Sequence, residues 1–206
     1  MRFSTEPRIP TECVFSHLSF LIPHLILASR SPRRREILQA AGCDFEVIPP
    51  DDAAEDRRLP GEGPVDYVKR LARQKAENVA AKIAEGIVIG CDTVVVCRDE
   101  ILEKPADRTD AGRMLRLLRG TKHHVITGIC LWHRPQDTVD LRHETTTLFM
   151  NEISETEIEA YLDSGLWAGK AGGFGYQDRN DWLRIIDGSE SNVVGLPLEL
   201  LAEMMR

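Results

Sequence analysis

The chain has 206 residues, 42% of them hydrophobic, enough for one globular domain, or one domain of two small lobes, around its own core. A net charge of −7 leaves no broad basic face of the kind that holds duplex nucleic acid, so any phosphate recognition must come from local basic clusters. No apolar run approaches the roughly 18 residues of a membrane helix, and the five cysteines (Cys13, Cys43, Cys91, Cys97, Cys130), an odd number without C-x-x-C spacing, read as reduced thiols in a cytoplasmic protein.

Residues 1–23 lack a charged segment followed by a long apolar block, so they are expected to be an extension, disordered in part, rather than a signal peptide. The short apolar run from His24 to Ala28 predicts a buried strand. Ser31 as N-cap and Pro32 at the first helical position predict a helix to about Ala41, stopped by Gly42. "FEVI" is a second strand, followed by the polar loop "PPDDAAEDRRLPGEGP". Residues 64–85 are the most periodic segment, with Val68, Ala72, Val79 and Ile83 on one stripe, and Lys75 falls on that same stripe. "IVIG" and "TVVV" place Cys91 and Asp92 inside a strand, and "RDE" is a tight turn into "IL". Thr109 is the expected cap of a helix carrying Met114, Leu115 and Leu118 and ending near Gly120. Strands over 123–133 and 138–149 form a hairpin at "RPQD", and the adjacent His123 and His124 face opposite sides of it, which argues against zinc ligation. Ser154 and Glu157 make a capping box for a helix to about Ser164. "WLRII" is a last strand and Pro197 opens a C-terminal helix. Early interleaving of helices with strands and a later hairpin give an α/β fold, a central mixed β-sheet flanked by helices.

Five constellations carry chemical potential. "SRSPRRR" places Ser29, Ser31, Arg33 and Arg34 at a helix N-terminus, where free backbone N–H groups and the dipole make an anion site; the alternative is a capped helix with solvated arginines. The arginines oppose the dipole unless an anion sits among them. Asp92, set between two β-branched runs, is an ionisable group in a sheet, where desolvation is costly without a cation or a functional role; the alternative is a strand bend facing solvent. Lys75 either snorkels along the surface or points its ammonium into a cleft. Lys104 in "EKP" is held extended by the following proline. "GKAGGFGYQ", with glycines at 169, 172, 173 and 175, permits close approach of backbone to a ligand or is a flexible loop, and matches neither the dinucleotide nor the P-loop fingerprint. Together these suit a nucleoside triphosphate bound with a divalent cation.

In order and spacing, "ASRSPRRREIL", "YVKRLARQKA", "IGCDTVVV", "LEKPADRTDAGRMLRLLRGTKHHVITGI", "GKAGGFGYQ" and "SNVVGLPL" resemble the Maf family of nucleoside triphosphate pyrophosphatases. The resemblance runs over about residues 24–201, and it sets the domain at 24–206. It implies two lobes around a cleft, similar to the inosine triphosphatase fold. It also implies hydrolysis of a nucleoside triphosphate to the monophosphate and pyrophosphate with a divalent metal cation, Mg²⁺ or Mn²⁺. Carried over by position, Asp92 resembles the proton acceptor that activates water and a metal ligand, while Ser29, Arg33, Arg34, Lys75 and Lys104 resemble the polyphosphate-binding groups. Arg33, Thr93 and Gln177 match the positions linked to substrate choice, in a combination similar to the dTTP/UTP branch; a glutamine amide can pair with a pyrimidine carbonyl and N–H.

Two departures stand out. Ala53 and Ala54 fall where many relatives carry Asp-Glu, so Glu55, one position late, is assigned as the metal-associated carboxylate. After Gln177 the sequence reads "DRNDW", where relatives more often have small residues. A homodimer is the family expectation, with no nucleic-acid or membrane partner. The competing readings are a low-turnover regulatory nucleotide-binding protein linked to cell division and a nucleic-acid binder using "SPRRR" and "TKHH". The intact Asp92, Lys75 and Lys104 count against the first, and the acidic balance against the second.

Overall fold

A computed structural model describes residues 24–52, 58–178 and 181–206. The extension 1–23 and Glu55 lie outside the described residues. In chain order the elements are β1 (Leu25–Ala28), α1 (Pro32–Ala40), β2 (Phe45–Val47), α2 (Pro64–Ala80), β3 (Gly86–Cys97), β4 (Glu100–Leu102) and α3 (Arg108–Leu118). They continue as β5 (Lys122–Arg134), β6 (Thr138–Met150), α4 (Glu155–Asp163), β7 (Leu183–Asp187), α5 (Glu190–Val194) and α6 (Leu198–Met204).

The described strands form one mixed seven-stranded sheet in the order β2-β1-β3-β5-β6-β7, with β4 also on β3. β1 runs parallel to β2 and β3, and the remaining pairs are antiparallel. The β3–β4 turn takes Arg98 and Asp99 at φ 49° and 67°, the left-handed pair that matches strand twist in a two-residue hairpin.

Alternation along β3 sorts its side chains onto two faces. On one face α2 packs Ala72, Ala76 and Val79 against Ile26, Val88 and Cys130, and Val68 and Leu71 against Val94 and Ile126. Two glycines let the helix lie this close: a Cβ on Gly90 would come within 2.2 Å of the Ala72 carbonyl oxygen, and one on Gly128 within 2.4 Å of the Val68 carbonyl oxygen. The opposite face carries two cores. One joins Leu27, Ile89 and Ile129 to Leu38 of α1 and Leu201 of α6; the other joins Val95, Val125 and Leu148 to Leu115 of α3 and Ile158 of α4. Between them runs a polar row in which the Thr93 and Thr127 hydroxyls meet at 3.0 Å. Two lobes on one sheet follow from this break in the apolar pattern.

The expected elements are present, with three differences. α3 is capped by Asp107 rather than Thr109: the Asp107 carboxylate accepts from the Asp110 N–H at 2.8 Å, placing Thr109 inside the first turn. α2 ends at Ala80, before Ile83, because tight turns close with Lys82 N–H to the Val79 carbonyl at 2.9 Å and Gly86 then takes φ 121° to enter β3. The five-residue α5 interrupts "SNVVGLPL", capped by the Ser189 side chain. His123 is buried and His124 exposed, as alternation requires. The four described cysteines are free thiols.

Candidate functional site

The site begins with a gap in the sheet edge. β1 stays paired to β3 up to Ala28 opposite Gly90, and β4 begins pairing on the same edge only at Val95. Cys91, Asp92, Thr93 and Val94 therefore lack a strand partner on that edge among the described residues, although β5 covers them on the other. A cleft of about 500 Å³ opens there, at the carboxyl end of β1, the position where α/β sheets characteristically admit ligands.

Nine residues expected from the sequence to bind substrate or act in catalysis line this one cleft: Ser29, Ser31, Arg33, Arg34, Lys75, Asp92, Thr93, Lys104 and Gln177, whereas of the four glycines Gly169 and Gly175 line it and Gly172 and Gly173 do not. They arrive from the β1–α1 junction, α2, β3, the segment after β4 and the loop before β7, which are far apart in the chain.

Lys75 resolves its two sequence readings in favour of the cleft. Its ammonium lies 2.6 Å from Asp92 Oδ1, with side-chain exposures of 5% and 15%. A lysine on the buried stripe of α2 can reach a carboxylate on β3 because Gly90 and Gly128 hold the helix against the sheet. Such a pair is held in place by mutual need: either charge alone would be costly at that depth. Nearby, buried Tyr67 donates to Glu103 Oε1 at 2.5 Å, and burial, then that hydrogen bond, pushes its phenol well above the usual range.

The N-terminus of α1 is left open. Ser31 occupies the N-cap position without a side-chain cap; its own N–H instead donates to Ser29 Oγ at 3.1 Å. The first-turn N–H groups of an uncapped helix are available to an anion.

Arg34 spends most of its donors on protein. Nε donates to the Gly195 carbonyl at 2.7 Å, Nη1 to the Cys91 carbonyl at 3.0 Å and to Ser29 Oγ at 3.4 Å, and Nη2 to Thr93 Oγ1 at 3.0 Å. It thus fills the unpaired edge of β3 and ties the α5–α6 junction to it. Arg33 reaches across the cleft, donating to the Gly169 carbonyl at 3.0 Å; burial, then the neighbouring Arg34, depress its pKa.

The glycine-rich segment is a folded turn rather than a loose loop. Gly172 and Gly173 sit at φ 71° and 70°, and short 3-10 turns cover Ala171–Gly173 and Tyr176–Asp178. The exposed Gln177 belongs to the second turn. Sequence reasoning passed over Arg30, Lys170 and Asp178, which also line the cleft. The charge alternation of "GK" and "QD" around the glycines was the available signal.

Among the described residues no group of three His, Cys, Asp or Glu side chains could hold a metal ion by itself. Asp92 is a carboxylate facing the cleft, and a hard divalent cation bound to a polyphosphate needs only one or two carboxylates, the phosphates and water supplying the other oxygens. The donor set fits a cation that comes with its substrate rather than one caged by protein alone.

A family model described as Maf-like protein matches residues 24–206. The dTTP/UTP pyrophosphatase of Rhodopirellula baltica is 49% identical over 182 residues, covering 88% of this chain and 80% of that protein. Proteins of the same name from Koribacter versatilis and Geotalea uraniireducens are 45% and 43% identical, covering 88% and 89% of this chain and 93% and 94% of theirs. A solved nucleoside-triphosphatase (dITP/XTP pyrophosphatase) from Mycobacterium abscessus aligns at TM-score 0.36 and 12% identity over 63% of this chain and 75% of that one, too slight a likeness to argue from. The matches to the family model and to these relatives run through the strands, helices and turns that build the cleft, and on that ground the chain belongs to the Maf family.

Proposed function

We infer that the cleft hydrolyses nucleoside triphosphates, dTTP and UTP foremost, to the nucleoside monophosphate and pyrophosphate. The carrying observation is the Asp92 carboxylate, held by Lys75, in a cleft that is also lined by Arg33, Arg34, Lys104 and the open N-terminus of α1. Five relatives or more bearing the dTTP/UTP name support the choice of base.

In the proposed reaction, the oxygen of a water molecule bonds to the α-phosphorus as the bond from that phosphorus to the αβ-bridging oxygen breaks. The water proton passes to the Asp92 carboxylate, whose Oδ1 is engaged by Lys75 and whose second oxygen serves as base. The negative charge that grows on the departing pyrophosphate is met by the first-turn N–H groups of α1 and by Arg33 and Lys104. Asp92 would hold a divalent cation together with the substrate phosphates, Glu55 being a further carboxylate the sequence offers; when bound, the cation supplies charge neutralisation on the polyphosphate. Gln177 and Thr93 read the base, an assignment supported by their place on the cleft wall. The free thiols suit a reducing cytoplasm, where we place the protein, as a homodimer.

Pyrophosphate release from a panel of triphosphates, with Mg²⁺ or Mn²⁺ and after chelation, tests this reading. Turnover of dTTP and UTP should fall about 100-fold or more in Asp92→Asn, which keeps the shape and removes the base. Near-normal turnover of that variant would sink the role given to Asp92. Tight nucleotide binding without turnover in the unaltered protein would favour a regulatory binder instead.

A further inference from the structure

The turn that carries Gln177 is fastened through the residue after it. The Asp178 side chain is only 8% exposed, and its Oδ1 accepts from the ammonium of Lys170, itself 13% exposed. Its other oxygen accepts from the Tyr161 hydroxyl on α4 and from the Gly175 N–H at 3.2 Å. The Asp178 N–H returns a bond to the Gly175 carbonyl at 3.0 Å, closing the turn. The Lys170 stem lies across Gly175 so closely that a Cβ there would sit 2.9 Å from both Lys170 Cδ and Cε. Tyr161 is itself wedged against Phe174 and Trp182, with ring centroids 5.1 and 5.5 Å away. Upstream, Arg33 holds the Gly169 carbonyl at 3.0 Å, so the segment is tied to α1 at one end and α4 at the other.

A buried ion pair contributes little net stability compared with an apolar pair of the same volume. What it supplies is one defined geometry, and the residue whose geometry it defines is Gln177, the exposed amide on the cleft wall. A uracil or thymine edge presents carbonyl, N–H and carbonyl in sequence. An amide meets both a carbonyl and the N–H only in one orientation, whereas cytosine presents an acceptor ring nitrogen and an amino donor. Small displacements of such a group change which base is favoured.

We propose that Asp178, with Lys170 as its counter-ion, is a positioning residue that sets the Gln177 amide and so governs base selectivity rather than chemistry. The inference rests on the pyrophosphatase reading above.

The test is kcat and KM for dTTP, UTP and dCTP on the unaltered protein, Asp178→Ala, Asp178→Asn, Gln177→Ala and the Gln177→Ala/Asp178→Ala double variant. Asp178→Ala should raise KM for dTTP and UTP about tenfold, with kcat and the dCTP parameters nearly unchanged. Asp178→Asn, which keeps an acceptor for Tyr161 and Gly175, should lie between. The double variant should lose no more selectivity than Gln177→Ala alone, because a residue acting through another adds nothing once that other is gone. If Asp178→Ala does not fold, Lys170→Met, which keeps the stem over Gly175, carries the same expectation. Equal losses on all three bases, or additive losses in the double variant, overturn the proposal. An unaltered protein that releases pyrophosphate equally from all three overturns it while leaving the pyrophosphatase reading intact; one that releases none overturns both.

Discussion

Arg34 illustrates how one side chain can be read two ways from sequence and only one way in three dimensions. By resemblance it is a polyphosphate ligand, yet its guanidinium serves the Gly195 and Cys91 carbonyls and the Ser29 and Thr93 hydroxyls. These acceptors lie on three separate segments that meet between the two cores. A planar fork with five donors can serve such a set, and a single ammonium cannot. Arg34→Lys should therefore lower the free energy of unfolding by ~2 kcal/mol, the loss of charge-assisted bonds to partly buried acceptors, read as a shift of the urea midpoint without a change in slope. Unchanged stability with a raised KM for nucleotide would return Arg34 to the role of a direct phosphate ligand. At this scale much of the site was legible: a lysine on an apolar stripe and an aspartate inside a β-branched run are each costly alone, and the cost forecasts a partner. That the two are each other's partner, 2.6 Å apart, required the helix to be placed on the sheet. The Lys170–Asp178 pair was only half legible: charges flank the glycines at "GK" and "QD", but no periodicity there assigns either residue a face.

At the scale of elements, legibility followed local signals. α4 has both halves of its capping box, and the β5–β6 hairpin pairs in one unbroken register from Lys122 opposite Phe149 to His133 opposite Thr138, so both stand where expected. Where signals were weak or non-local the reading drifted. A five-residue helix has too little length for a period, and Thr109 yielded to Asp107 because either could cap. The gap in the β3 edge depends on where two other strands stop pairing, which no window of sequence contains. The contact that sets the reacting groups is likewise non-local: Gly128 lies opposite Asp92 on β5 and faces the backbone of α2. Gly128→Ala would place a Cβ 2.4 Å from the Val68 carbonyl oxygen and 2.7 Å from the Lys69 nitrogen, neither of which can rotate away. The helix must lift, and Lys75 lifts with it. We expect a loss of about 1–3 kcal/mol in stability, typical of overpacking, together with a fall in kcat at temperatures where the variant remains folded. Full kcat in a destabilised variant would show that the Lys75–Asp92 distance tolerates movement of α2.

Across the whole molecule the acid response has a traceable source in His123. The imidazole is 3% exposed on the sheet face shared with Val125, opposite Leu148 on β6, and its Nδ1 has no hydrogen-bond partner among the described residues. Burial pushes its pKa down to about 4, against a smaller upward pull from the Thr121 backbone, with nearby His124 adding to the depression. In the unfolded chain the same group takes up a proton near pH 6.5. Above that pH both states are neutral there and the folded state keeps its full stability. As pH falls from 6.5 toward 4 only the unfolded state gains the proton, so stability must decline, by up to ~3 kcal/mol from this residue. Below about 4 the folded state is protonated too and the decline from this source stops. His123→Phe cannot titrate, so its unfolding free energy, measured by urea titration at steps between pH 7 and 4, should decline less steeply than that of the unaltered chain. The slope is the diagnostic, since the larger ring shifts the absolute value in either direction through packing. Parallel slopes would mean that the imidazole is already charged in the folded protein, and that some carboxylate pair, rather than the buried face of β5, governs how this fold fails in acid.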